Sequence, residues 1–130
     1  MIYIFQNLLA ILAATGAGLA LGLIAVRLSK GLLPKPGSLV VVALAEFWLA
    51  SILAGALILA PPEAPALVMA LATPVVICIG FIVPVIAVLG AVGEISTRSC
   101  LLTGVHWLVV MLVMAGTLEW VGLTAPPGAV

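Results

Sequence analysis

The sequence predicts an all-α integral membrane protein in which four transmembrane helices form an up-down bundle. Of its 130 residues, 66% are hydrophobic and 6% are charged, whereas a soluble domain carries about 25% charged residues. The apolar residues form four long stretches separated by short polar links. Each stretch is long enough to form a helix that crosses a bilayer, which needs ~20 residues.

The four helices are expected at about residues 2–26, 39–60, 66–92 and 99–122, within one transmembrane domain covering residues 1–130. Proline and glycine punctuate the links, for example at Pro34, Pro36 and Pro61, and favour turns there. The stretches are continuously apolar rather than alternating, and they exceed the ~9–11 residues of a membrane barrel strand. Helices are therefore favoured over a barrel.

All four basic residues lie in two of the three links, at Arg27, Lys30, Lys35 and Arg98. Because cytoplasmic loops are enriched in Lys and Arg, links 27–38 and 93–98 are expected in the cytoplasm and both termini outside. We expect a bacterial inner membrane. The net charge is zero and there is no basic run, so no nucleic-acid partner is expected.

A stripe of small residues on the first helix predicts a helix-packing face. Ala10, Ala14, Gly18 and Gly22 recur every four residues, and small residues let helix backbones approach closely in lipid. The neighbour across this face is either another helix of the chain or a second subunit.

Pro74 and Pro84 are expected to kink the third helix, since each removes a backbone donor and crowds the preceding turn. The kinks serve either packing shape alone or a hinge whose freed carbonyl lines a site.

Glu46 and His106 are the candidate intramembrane polar pair. Each lies about 10 Å into its predicted helix from the cytoplasmic side at ~1.5 Å per residue. Ionisable groups in lipid are costly and usually face the bundle interior, so the two side chains are expected to meet or relay a proton. Alternatively, Glu46 bonds a backbone carbonyl or reaches the interface, and His106 is a neutral core residue.

No catalytic or metal motif accompanies this pair. The chain contains no HExxH, P-loop or Gly-x-Ser-x-Gly, so an enzyme is not expected. No cofactor is predicted. His106 as an axial ligand to haem or chlorophyll is a weaker alternative, because the chain has one histidine and a four-helix haem protein usually presents two.

The two halves of the chain are compatible with a duplicated helical hairpin. An ionisable residue shortly precedes a tryptophan in the second helix (residues 46–48, EFW) and in the fourth (106–107, HW). Such parallel repeats occur in transporters.

Three short runs in the second half of the chain are residues 80–84 (GFIVP), 103–106 (TGVH) and 114–116 (MAG). Through them, residues 39–123 resemble the DUF1761 family of small four-helix bacterial membrane proteins, which has an Asn-Ala-Gly-Tyr-like stretch in the place of 103–106 and Met-Gly in the place of 114–116. The resemblance fails in residues 25–30 (AVRLSK), where the family often has aromatic residues. The family has no assigned activity, so the resemblance implies a fold alone.

Two functions fit these observations. The first is a non-catalytic membrane subunit that packs in the bilayer against itself or against a larger respiratory, photosynthetic or transport complex. Its partners are lipid and other membrane subunits. The alternative is a small oligomeric proton-coupled transporter that uses Glu46 and His106.

Overall fold

The computed structural model describes residues 2–29, 35–61 and 63–125, and every regular element in these ranges is helical. The elements are α1 (Ile2–Gln6), α2 (Leu8–Leu28), α3 (Pro36–Ile58), α4 (Ala66–Ile77), a π-helical turn (Cys78–Ile82), α5 (Val83–Ala91) and α6 (Thr97–Val121). Four helical stretches are long and apolar enough to cross a membrane: Leu8–Leu28, Pro36–Ile58, Ala66–Ala91 and Thr97–Val121. The prediction of an all-helical chain with four such stretches is confirmed.

The first predicted helix is interrupted at Asn7, which separates α1 from α2. The Asn7 side chain is buried, and its Nδ2 donates hydrogen bonds to the carbonyl oxygens of Tyr3 and Thr124, each at 2.9 Å. In return, the backbone N–H of Thr124 donates to Asn7 Oδ1 at 2.7 Å. One side chain therefore ties the start of the chain to the segment after the last helix.

Two helices begin earlier than the sequence predicts. Pro36 does not end or interrupt a helix but lies in the first turn of α3. A backbone N–H at this position would have no acceptor within the helix, so proline is tolerated there. Helix α6 begins at Thr97 because Ser96 caps it, with Ser96 Oγ accepting a hydrogen bond from the Ser99 N–H at 3.2 Å. These starts place both candidate polar residues deeper in their helices than expected.

The third membrane-length stretch is not a single α-helix. A π-helical turn, Cys78–Ile82, lies between Pro74 and Pro84, and the Val83 N–H bonds the Cys78 carbonyl five residues back. In a regular α-helix the Pro84 ring would crowd the Gly80 carbonyl, and the wider π turn relieves this contact. Pro84 lies in the first turn of α5, directly after the π-helical turn, whereas Pro74 lies inside α4. The kinks at the two prolines stay a prediction.

Helix α6 is the central element of the bundle. It packs against α2, against α3 and against the stretch from α4 to α5, whereas α2 and α4, both fully described, do not contact each other. The largest fully buried side chains of these packed helices include Ile11, Leu53, Met111, Met114 and Leu118. They belong to the first half of α2 and the second halves of α3 and α6, so the tight core fills one end of the bundle.

Candidate intramembrane polar site

A cavity of about 620 Å³ lies at the other end of the bundle, between α2, α3 and α6. Its walls are mostly apolar, and both candidate polar residues line it. The lining residues are Leu19, Gly22, Leu23, Ala25, Val26, Ser29, Leu39, Val42, Glu46, Leu102, Val105, His106 and Trp107. The cavity extends toward the helix ends that adjoin link 27–38, and the buried core closes it at the opposite end.

Glu46 lies at the inner end of this cavity. It is about 15 Å along α3 from Pro36 at ~1.5 Å per residue, and His106 is about 14 Å along α6 from Thr97 by the same rise. Both therefore lie near the middle of helices that are long enough to cross a hydrocarbon core of ~30 Å. The alternative in which Glu46 reaches the interface stays a prediction.

The Glu46 carboxylate is almost completely enclosed. The residue is 2% exposed, and Oε2 has no hydrogen-bond partner among the described residues. The buried hydroxyls of α2 and α3 donate within their own helices: Ser51 Oγ to the Phe47 carbonyl and Thr15 Oγ1 to the Ile11 carbonyl, both at 2.8 Å. A buried polar atom without a partner is rare and calls for an explanation, of which a functional role is one.

The small-residue stripe of α2 provides the space for this carboxylate. Ala10, Ala14 and Gly18 are buried in the chain itself, and Gly22 is half-buried. A methyl group at Gly18 would lie 2.5 Å from Glu46 Oε2 and would also overlap Met114 Cε, while one at Gly22 would lie 4.0 Å from Oε1. The neighbour across the stripe, left open by the sequence, is therefore within this chain.

His106 is half-buried and its ring lies edge-on to Trp107, with ring centroids 5.8 Å apart and an interplanar angle of 68°. The imidazole and the Glu46 carboxylate line one cavity, but none of the hydrogen bonds between described residues joins them. Direct pairing of the two stays a prediction, as does ligation of haem or chlorophyll by His106. Within the described ranges, no group of three His, Cys, Asp or Glu side chains is placed to hold a metal ion.

A second cavity, of about 390 Å³, lies between α6 and the π-helical region. It contains both free thiols: Cys78 Sγ is 4.0 Å from the Gly104 carbonyl oxygen, and Cys100 Sγ is 3.8 Å from that of Ile86. Its other lining groups are apolar, so it has no feature that selects a polar ligand.

Sequence reasoning identified Glu46, His106 and the small-residue stripe, but it did not join the stripe to the carboxylate. It also missed Asn7, whose signal was available as one of two adjacent side-chain amides, Gln6 and Asn7, inside an apolar run. Such a group must find partners when it is buried.

No protein-family model, curated protein or solved structure matches the chain. The resemblance to the DUF1761 family consequently stays a prediction, and functional argument rests on the cavity itself.

Proposed function

We propose that this chain is an integral membrane protein of the bacterial inner membrane that acts as a small proton-coupled carrier. Its helices cross the bilayer with links 27–38 and 93–98 in the cytoplasm and both termini outside. The four apolar stretches support membrane insertion. The basic residues of the two links support the orientation.

The observation that carries the proposal is the buried Glu46 carboxylate at the inner end of a cavity that extends toward link 27–38. An unpaired charge in the bilayer interior costs at least ~2.5–3.5 kcal/mol. Binding a proton or a cationic solute removes that cost, so the site favours exchange between the two.

The shape of the bundle supports the same function. Packed side chains such as Leu53 and Met114 close the end beyond Glu46, while the cavity extends from Glu46 toward Ser29. In the proposed orientation the site faces the cytoplasm and is shut off from the outside. A carrier alternates between a state of this kind, open to the cytoplasm, and a second state that is open to the outside.

The test is solute-driven proton movement in proteoliposomes, followed with a pH-sensitive dye. Wild type and Glu46→Gln are compared, with Glu119→Gln as the matched control because Glu119 lies on α6 outside the cavity. The proposal expects proton movement in wild type and the control only. Movement that persists in Glu46→Gln contradicts the assigned role of this carboxylate.

A non-catalytic subunit is the second candidate, and the apolar outer surface is compatible with it. Large apolar side chains are exposed along the third stretch, including Ile79 (63%), Phe81 (71%) and Val88 (62%). Such a surface suits either lipid or a second membrane protein, and it would also form the contacts of an oligomeric carrier.

The mass of the particle after gentle extraction from its native membrane distinguishes these assemblies. A larger complex supports the subunit, and a pure homo-oligomer supports the carrier. Substitution of Gly18 does not test assembly, because its neighbours Glu46 and Met114 belong to the same chain. Phe81→Ser, on the exposed face, tests it directly.

A further inference from the structure

We propose that the solute bound in the Glu46 cavity is a lipophilic ammonium cation, an amine with an apolar body and at least one N–H donor. This inference rests on the proposed carrier function, because it names the solute that exchanges with the proton at the same site.

The carboxylate selects the charge and the donor. Glu46 is 2% exposed. Its Oε2 lies against Gly18 and has no hydrogen-bond partner among the described residues, whereas Oε1 lies on the side of Gly22, which lines the cavity. An ammonium group in the cavity supplies a positive charge and an N–H donor to Oε1, and such charge-assisted hydrogen bonds are roughly twice as strong as neutral ones. An anionic solute would instead meet a like charge.

The walls select the body of the solute. Leucine, valine and alanine side chains form most of the lining, and Trp107 adds an aromatic surface. The volume of about 620 Å³ falls within the ~300–1,000 Å³ of pockets that hold drug-sized molecules. An extended apolar group fits these walls better than a sugar or an amino acid.

The same lining argues against a bare metal cation. Among the described residues that line the cavity, only Glu46 and Ser29 offer a side-chain oxygen, and the two lie near opposite ends of the cavity. A hard cation such as Ca²⁺ needs about six to eight oxygen ligands. An organic cation needs one carboxylate and an apolar surface.

One proton is exchanged for each ammonium cation that binds. When the ammonium cation binds, the Glu46 carboxyl releases its proton to the cavity and the carboxylate pairs with the cation. Protonation of Glu46 reverses the step and releases the solute.

His106 is the other titratable group on the cavity wall. Arg27 lies on α2 next to the lining residue Val26, and its side chain is exposed. Protonation of Glu46 removes the negative charge that pairs with the ammonium cation. Affinity for the amine is therefore expected to fall as the pH is lowered.

The test is equilibrium dialysis of phenylbutylammonium against the full chain in lipid nanodiscs. Empty nanodiscs give the partitioning into lipid, which is subtracted. The neutral isostere phenylbutanol probes the walls alone. Wild type, Glu46→Gln and Glu119→Gln are compared, with circular dichroism to show that each variant is folded.

We expect saturable amine binding to wild type and Glu119→Gln. In Glu46→Gln it should weaken by about 10- to 100-fold, as expected for loss of a hydrogen bond to a charged group. Phenylbutanol should bind all three alike. The inference is overturned if folded wild type shows no saturable amine component, if Glu46→Gln binds the amine as tightly, or if the alcohol binds as well as the amine.

Different results would contradict the solute assignment and the carrier function. Amine binding without proton movement in proteoliposomes would support the binding site and contradict the carrier function. Proton movement driven by other solutes, with no amine binding, would support the carrier function and contradict the assignment of a lipophilic ammonium cation as its solute.

Discussion

The side chain of Glu46 occupies the space that Gly18 leaves empty, since a methyl group at Gly18 would lie 2.5 Å from Glu46 Oε2. The glycine is on α2 and the carboxylate on α3, and the two residues fit together sterically. Without the glycine the carboxylate would not fit between the helices. Without the carboxylate the glycine would leave a void beside the cavity.

Gly18→Ala should therefore destabilise the protein. The added methyl group must displace Glu46 and Met114, and overpacking of this kind costs about 1–3 kcal/mol. The measurement is thermal unfolding in detergent, followed by circular dichroism.

Gly16→Ala is the matched control, because a methyl group at Gly16 meets nothing within 4 Å and alanine favours helix. The double variant Gly18→Ala/Glu46→Ala should recover much of the lost stability, since the two changes share one space. Strictly additive effects would show that the two residues do not interact.

Glu46→Met should stabilise the folded protein while it abolishes proton coupling. Replacing a buried, unpartnered carboxylate with an apolar side chain of similar volume removes a desolvation cost, and functional sites commonly trade stability for activity. The midpoint of unfolding should rise relative to wild type. Glu119→Met, on a half-buried residue outside the cavity, should change it less. A large decrease for Glu46→Met would indicate that Glu46 is a structural residue.

Asn7→Ala should loosen the connection between the two ends of the chain. It removes hydrogen bonds to the carbonyls of Tyr3 and Thr124 and from the Thr124 N–H, each with a net contribution of about 0.5–1.5 kcal/mol to stability. Hydrogen exchange at the Thr124 amide should accelerate in Asn7→Ala. The neighbouring Gln6→Ala, at an exposed position, should leave it unchanged. Equal exchange in both variants would count against the Asn7 contact.

The orientation of the chain is tested by labelling single cysteines in a Cys78→Ala/Cys100→Ala background. Ser29 and Thr124 are both exposed and lie at opposite ends of the bundle. A membrane-impermeant maleimide added to intact cells with a permeable outer membrane should label Thr124→Cys. Ser29→Cys should react only in inverted vesicles. The reverse pattern would invert the proposed topology and the side to which the cavity extends.

The number and nature of the helices follow from the sequence because four long apolar stretches have no other stable form in lipid. Their ends were less predictable. Pro36 reads equally as a breaker of a link or as the first turn of a helix, and only the packed structure decides between these. The π-helical turn before Pro84 likewise depends on backbone geometry that composition does not contain.

The site was predictable as a set of residues but not as an arrangement. Glu46 and Gly18 were each recognised from their chemistry. Which faces of α2 and α3 meet could not be read, because helices that are apolar on every side have no hydrophobic stripe to mark the buried face. Their rotations are set by close packing of small residues, and that depends on the whole bundle.

The most direct test of the central claim is infrared spectroscopy of the reconstituted protein, which detects the carboxyl group of Glu46 through its C=O stretching band. The band is assigned by subtracting the spectrum of Glu46→Gln, with Glu119→Gln as control. The account predicts a Glu46 band that appears reversibly as the pH is lowered and that shifts promptly on transfer to D₂O, because the carboxyl exchanges protons through the cavity. A band that is insensitive to both pH and D₂O would mean that Glu46 is sealed in the core, and would contradict the proposed function.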